Sequence, residues 1–169
     1  HDELGGYGKK YKHGCFINPV SVAQKVLPIA DGILSGTSPS DTEIIEIKEA
    51  LEVLVKHADK NTIEGKDVLV LPYDFSWARY GLEAGWVSGM AQGHAIEVAV
   101  ALYRVTGNKR YLDIAMKFGN AFHMDYKRGG VVVNTKEGPW FEEYAQAGKK
   151  PSFALNGHIF ALEGLARLQ

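Results

Sequence analysis

The sequence has a single cysteine, so no disulfide bond can form within the chain. The lone thiol of Cys15 also excludes catalysis by a pair of thiols. No hydrophobic run approaches the roughly 18 residues that a membrane-spanning helix needs. The formal net charge is -1, so overall charge favours neither nucleic acid nor an anionic membrane. The sequence therefore predicts no nucleic-acid partner and no membrane segment.

Motifs of metal and nucleotide sites are missing as well. The six histidines are scattered, and they form neither an H-E-x-x-H motif nor a Cys/His set. His94 and Glu97 have a spacing that metal sites use, but no second such pair exists. There is no P-loop, and the early GGYG sequence lacks a preceding strand. We therefore predict no metal and no cofactor.

The composition is typical of one soluble domain, and the hydrophobic pattern is mainly helical. Of 169 residues, 46% are hydrophobic and 23% are charged. Ser40 and Glu43 form a capping-box signature that begins a helix. Residues 90–105 are apolar on nearly every side, which predicts a buried helix. Further helices are predicted after Pro19 (ending or bending near Pro28), over residues 111–122 as the second half of an αα-hairpin, and after Pro151.

The remaining segments predict loops, short strands and an arm. Residues 68–75, interrupted by Pro72, predict an edge strand or an extended loop, and residues 131–134 predict a short strand. Residues 1–14 are rich in Gly and Lys and predict a flexible N-terminal arm, so the domain is expected over residues 15–169. The apolar pattern continues to Leu168 without a terminal Gly or Pro, which indicates a domain cut short.

The segment from Trp86 to Gly93 is the first candidate for chemistry. Its small residues allow close approach of a ligand, and the helix N-terminus that it begins suits a carboxylate. Trp86 could stack on a sugar ring. A Gly-rich turn with a core tryptophan explains the same residues. The spacing of Gly85 and Ser88 does not match the G-x-S-x-G motif of hydrolases.

A second candidate is the loop from Trp140 to Tyr144, which combines two acids with three aromatic residues. In an extended chain Glu143 would point away from Glu142 and Tyr144, so only one acid need face a pocket. A solvated acidic turn with aromatic packing is the alternative.

The third candidate is the run Asn156-Gly157-His158 at the start of the last helix. Asn156 could hydrogen-bond a sugar hydroxyl, and His158 could titrate near neutral pH, although a lone helical histidine is more often structural. We expect the loop bearing Glu143 and Tyr144 to face the same cavity as the segment that begins at Trp86.

Taken together, these segments resemble the C-terminal domain of the D-glucuronyl C5-epimerase family. The resemblance covers about two thirds of the chain, and the set of motifs is more specific than any one motif. The matching stretches are NPVSVAQ (18–24), WVSGMAQGHAIEVAVALYRVTGNKRYLDIA (86–115), GGVVVN (129–134), WFEEY (140–144) and FALNGHIFALEGL (153–165).

The resemblance implies a fold, a reaction and a set of site residues. The fold is a mainly α, (α/α) toroid, partial here, with short strands and hairpins in the loops. The reaction inverts C5 of glucuronate in a heparan-type polysaccharide, so a uronate-containing polymer is the expected partner. Glu143 and Tyr144 match the catalytic acid and tyrosine. The matched or neighbouring positions predicted to bind substrate are Trp86, Ser88, Met90, Gln92, Trp140 and Asn156.

The chain departs from the family pattern in ways that bear on activity. The family continues to further tyrosines and an arginine that bind the substrate carboxylate, and this sequence does not contain them. We therefore predict little or no epimerase activity from this chain alone. An incomplete toroid would leave apolar helix faces uncovered, which predicts self-association as a homodimer. The sequence does not indicate a compartment.

Two other functions stay open at this point. A polysaccharide lyase or glycoside hydrolase of toroid type could use Glu143 as its acid or base, although hydrolysis normally needs two carboxylates on opposite sides of the bond. A non-catalytic helical interaction module is the third, but the sequence shows no clean second copy of the αα-hairpin at a fixed period.

Overall fold

The computed structural model describes residues 7–11 and 14–169. Four of its six α-helices begin at a residue whose side chain caps the first turn. The capping box of Ser40 and Glu43 is confirmed, with the Ser40 N–H 2.7 Å from Glu43 Oε2. Ser88 caps the buried helix by accepting a bond from the Ala91 N–H. The helices are α1 (Pro19–Gln24), α2 (Leu27–Leu34), α3 (Asp41–His57), α4 (Gly89–Thr106), α5 (Lys109–Gly119) and α6 (Leu155–Ala166).

The strands of the described residues form four two-stranded antiparallel sheets. They are β1 (Gly8–Tyr11) with β2 (Gly14–Ile17), β3 (Asp59–Ile63) with β4 (Lys66–Val70), β5 (Pro72–Tyr73) with β6 (Trp86–Val87), and β7 (Val132–Thr135) with β8 (Gly138–Phe141). Of the predicted N-terminal arm, residues 1–6 and 12–13 lie outside the described residues. Residues 8–11 form β1, which packs beside the aromatic residues described below.

Helix α4 lies at the centre of the fold. Its residues are buried without interruption from Gly89 to Leu102, and it packs against each of the other five helices. Gly93 lets α4 and α6 approach closely, because a Cβ there would lie 2.3 Å from the Phe160 carbonyl oxygen. The predicted αα-hairpin is present as α4 followed by α5.

This central position overturns the predicted (α/α) toroid. In a toroid, inner helices present one side to a central cleft, but α4 is buried from Gly89 to Leu102 and packs against all five other α-helices. The described residues are 51% helical and 21% strand, with six helices and four small sheets. The toroid prediction is therefore wrong for this chain, which combines a helix cluster with four two-stranded sheets.

Helix α6 covers α4 with one side and exposes apolar residues on the other. Leu155, Ile159 and Leu162 are 61%, 44% and 46% exposed, and their spacing places them along one face. Across residues 7–11 and 14–169, no helix has both the length and the hydrophobicity to cross a bilayer.

Candidate active site

A cavity of about 200 Å³ lies where the β1–β2 hairpin, α1 and the start of α4 meet. It is smaller than the roughly 300–1,000 Å³ of drug-sized ligand pockets, so it suits a single ring. The structure brings five of the predicted site residues to it: Trp86, Ser88, Met90, Glu143 and Tyr144.

Backbone pairing explains why these two distant segments meet. Val87 and Ala145 exchange two hydrogen bonds of 2.9 Å, N–H to carbonyl oxygen in each direction. The Gly89 N–H donates to the Glu142 carbonyl oxygen at 2.8 Å. A Cβ at position 89 would lie 3.0 Å from that oxygen, so glycine permits the close approach. The acidic loop is thereby attached to the first turn of α4.

A series of aromatic rings forms the floor of the cavity. Trp86 stacks on Tyr73 with ring centroids 3.7 Å apart, and Tyr144 lies 5.8 Å from Trp86. Trp86 is only 3% exposed and donates its Nε1–H to the Phe75 carbonyl oxygen, so it offers little ring surface to a ligand. Its main contribution is to hold Tyr73 and Tyr144 in place.

Part of this series was not predicted from the sequence. Tyr73, Phe75 and Trp77 all line the cavity. They alternate along an extended segment, and alternate residues of such a segment point to one side. That period of two was the signal available in the sequence. Tyr11 completes the series by stacking on Phe75 at 4.2 Å.

Glu143 is the buried acid of the cavity, with 7% of its surface exposed. Burial raises the pKa of its carboxyl, and the negative charge of Glu142 raises it further. The Tyr144 phenol, the Asn156 amide and the Gly157 N–H lie close enough to lower this pKa in part. Oε2 of Glu143 has no hydrogen-bond partner among the described residues. A weakened acid with a free oxygen suits proton transfer.

Tyr144 lies beside Glu143 in the cavity. Burial raises the pKa of its phenol, and the hydrogen bond to Glu143 and the charge of Glu143 raise it further. The phenol therefore stays protonated at neutral pH and can donate a hydrogen bond. Tyr80 stacks on the Tyr144 ring at 4.0 Å and fixes its orientation.

The two adjacent acids have separate environments, as alternation predicts. Glu142 is fully buried and does not line the cavity. The expectation that Tyr144 points away from Glu143 is wrong, because the chain bends at residues 143–144 instead of continuing as a strand.

Three further predicted residues lie outside the cavity lining. Gln92 is fully buried, accepts from the Leu71 N–H at 2.9 Å, and donates to the carbonyl oxygens of Leu69 and Phe118. It therefore joins β4 and α5 to α4. Trp140 stacks on His158 at 4.1 Å. Asn156 is exposed. It lies close to the carboxyl of Glu143, which lines the cavity, but does not line the cavity itself.

His158 has a structural contact at the same junction. Its Nδ1 accepts the Phe141 N–H at 3.0 Å, so this nitrogen carries no proton. Burial lowers the pKa of the imidazole, which favours the same neutral form.

Lys9 supplies a positive charge at the cavity, with its Nζ 3.4 Å from Ser21 Oγ. A cation here could attract an acidic ligand. Nowhere in the part of the chain that the structure describes do three His, Cys, Asp or Glu residues gather closely enough to hold a metal ion.

Comparison with known proteins gives a consistent result. The family described as D-glucuronyl C5-epimerase C-terminus matches residues 65–169. D-glucuronyl C5-epimerase of Caenorhabditis elegans is 37% identical over 84 residues, which is 50% of this chain and 13% of that protein. An uncharacterized protein of Methanocaldococcus jannaschii is 33% identical over 118 residues, which is 65% of this chain and 38% of that protein. The chain thus spans well under half the length of either relative. The matched range contains every predicted site residue, whereas Lys9 and Tyr11 precede it.

Proposed function

Since this chain belongs to the D-glucuronyl C5-epimerase C-terminal family, we propose that its cavity removes and returns the C5 proton of a uronate residue in a polysaccharide. The observation that carries the proposal is the position of Glu143, a buried acid of raised pKa that shares the cavity with Tyr144.

The reaction needs a base next to C5 and a site for the charge that develops. Glu143 takes the C5 proton, and the electron pair of that C–H bond moves into the adjacent carboxylate of the sugar. A carboxyl of raised pKa is a stronger base once ionised, so the transfer is less uphill. Return of a proton to the other face of C5 completes the inversion. Lys9 is placed to offset the charge of the sugar carboxylate.

Two roles in the proposed reaction are open for Tyr144. As the second acid, it would give its phenolic proton to the opposite face of C5. As a partner of Glu143, it would only hold the carboxylate in place. Tyr144→Phe separates these roles: the first role leaves C5 proton–deuterium exchange without inversion, and the second lowers exchange and inversion together.

The test is proton–deuterium exchange at C5 in a polymer of N-acetylglucosamine and glucuronate. We expect little or no turnover by this chain alone, so the assay uses high protein concentration and long incubation to detect residual exchange. Exchange that Glu143→Gln abolishes and Glu137→Gln leaves intact supports the function. Glu137 is an exposed glutamate of the β7–β8 turn and serves as the matched control. Absence of any Glu143-dependent exchange refutes C5 proton transfer by this chain, and fast exchange contradicts the expectation of little or no turnover.

A polysaccharide lyase is the second candidate, because it begins with the same removal of a C5 proton. An unsaturated, ultraviolet-absorbing product end would identify it. Hydrolysis is less consistent with the site, because Glu143 is the single carboxylate among the described residues that line the cavity.

A further inference from the structure

We propose that Glu142 is a positioning residue, which holds the bend carrying Glu143 and Tyr144 against the start of α6. Its effect on catalysis rests on the proposed function, whereas its effect on the geometry and titration of Glu143 does not.

The carboxylate of Glu142 is fully buried and is held by hydrogen-bond donors alone. The Tyr144 N–H donates to Oε1 at 3.1 Å, and the Phe153 N–H donates to Oε2 at 2.9 Å. The hydroxyl of Ser152 donates to Oε1 as well. Glu142 makes no ion pair with a cation in the described ranges. A buried carboxylate is tolerated only where donors replace its lost hydration.

These donors belong to two separate segments, so Glu142 connects them. Tyr144 is part of the bend, whereas Ser152 and Phe153 lie just before α6. Ser152 Oγ also accepts from the N–H of Ala154, the N-cap residue of α6, at 3.3 Å. Glu142 therefore determines where α6 begins relative to the bend.

The backbone at Phe153 indicates that this junction needs support. Phe153 has a φ of 53°, a left-handed conformation that a bulky residue rarely adopts. Its N–H is the group that donates to Glu142 Oε2. Residues in such conformations persist where surrounding contacts hold them, and they concentrate at functional sites.

A change at the junction that Glu142 holds would affect Glu143 through the first turn of α6. Gly157 lies directly against the Glu143 side chain, and Asn156 approaches the same carboxylate. A displacement of the start of α6 would therefore change the surroundings of the proposed base. The negative charge of Glu142 also raises the pKa of Glu143.

Glutamine cannot replace glutamate in this arrangement. A carboxylate offers two acceptor oxygens, whereas a carboxamide offers one oxygen and one NH₂ donor. In Glu142→Gln the NH₂ group would face one of the donors of Tyr144, Ser152 or Phe153. The substitution also removes the negative charge near Glu143.

The experiment compares Glu142→Gln, Ser152→Ala and Glu163→Gln with the wild type. Glu163 is an exposed glutamate of α6 and receives the same chemical change. Carbon-13 NMR of side-chain carboxyls follows the titration of Glu143, assigned by its absence in Glu143→Gln. Amide resonances of Tyr144, Phe153 and Gly157 report the junction, and C5 exchange is recorded against pH.

In Glu142→Gln we expect Glu143 to titrate at lower pH, the three amide resonances to move, and exchange to fall on the order of a hundredfold. Ser152→Ala keeps the charge, so the titration stays near that of the wild type while the Phe153 and Gly157 amides move. Glu163→Gln matches the wild type in every measurement.

An unmoved Gly157 amide in folded Glu142→Gln overturns the inference, because the start of α6 would then keep its place without the carboxylate. If that variant does not fold, Ser152→Ala decides through the same Gly157 amide, since the Phe153 amide adjoins the substituted residue and shifts in any case. The NMR measurements need no turnover, so a chain without epimerase activity refutes the proposed function and leaves this inference to be judged on the Gly157 amide.

Discussion

Gly157 and Glu143 are in such close contact that no side chain fits at position 157. A Cβ there would lie 2.3 Å from the Glu143 Cβ and 2.8 Å from its Oε2. The first turn of α6 thus presses against the proposed base, and its backbone N–H groups lie beside a carboxylate. Glycine is needed at position 157 because a Cβ does not fit there. Its φ lies outside the left-handed region, so backbone conformation is not the reason.

Gly157→Ala should displace Glu143 and lower the free energy of unfolding by about 1–3 kcal/mol, because the added methyl group overlaps the side chain. Gly32→Ala is the matched control in α2, where a Cβ would meet Thr37 at an ordinary 3.7 Å. It should be neutral or stabilise by about 0.5–1 kcal/mol through helix propensity. Urea unfolding measures both. Equal changes in unfolding free energy for the two substitutions would contradict the predicted steric overlap at position 157.

Gln92→Ala should destabilise the fold rather than remove a ligand contact. The change leaves the buried Leu71 N–H without its acceptor and removes a donor from the carbonyl oxygens of Leu69 and Phe118, at a cost of about 1–3 kcal/mol. Gln146 bonds the Glu83 backbone in a similar way at the surface, and Gln146→Ala should cost about 0.5–1 kcal/mol. Thermal unfolding of both variants gives the comparison. A native-like melting temperature for Gln92→Ala would contradict the structural role.

Glu143→Gln should stabilise the chain increasingly as pH rises. Burial raises the pKa of Glu143 in the folded state, so the folded chain holds that proton more tightly than the unfolded chain. Stability from this group is full below the unfolded value of about 4.3 and is lost as pH rises through the raised pKa. Glutamine does not ionise and avoids this loss.

Unfolding free energies between pH 4 and 8 measure this effect. The difference between Glu143→Gln and the wild type should widen as pH rises from 4 and become constant above the raised pKa, whereas Glu163→Gln should show a constant difference throughout. A difference for Glu143→Gln that is independent of pH would contradict a raised pKa.

The exposed apolar face of α6 should make the chain self-associate. Replacing Ile159 and Leu162 with Gln should then give a monomer in sedimentation velocity at concentrations where the wild type forms larger species. Ile45→Gln is the control, since Ile45 is 53% exposed on α3. Wild-type chains that stay monomeric at high concentration would refute the expectation.

Local signals in the sequence predicted most of the helices, but one helix was expected after Pro19 and the structure has two, with Pro28 in the first turn of α2. Ser40 with Glu43 predicted the start of α3, because that cap is completed within three residues of chain. The buried character of α4 was also visible, since apolar residues surround it. These features depend on neighbours in sequence, which a pattern can represent.

The arrangement of the site depended on contacts that no local pattern contains. Pairing of Val87 with Ala145 joins segments far apart in the chain, and only the motif resemblance suggested that they meet. Gln92 belongs to a matching motif but faces the core, where its amide bonds the backbone of Leu71, Leu69 and Phe118. The toroid was inferred from family resemblance, and no local pattern in the sequence predicted that five helices pack around α4.

The stacking of Tyr11 on Phe75 has a consequence for folding and opening. This contact closes a long stretch of chain, so the entropy of loop closure must be overcome before one wall of the cavity exists. The wall should therefore assemble late and detach early, ahead of global unfolding. Amide hydrogens of the first hairpin should exchange with solvent faster than those of α4, even under fully native conditions.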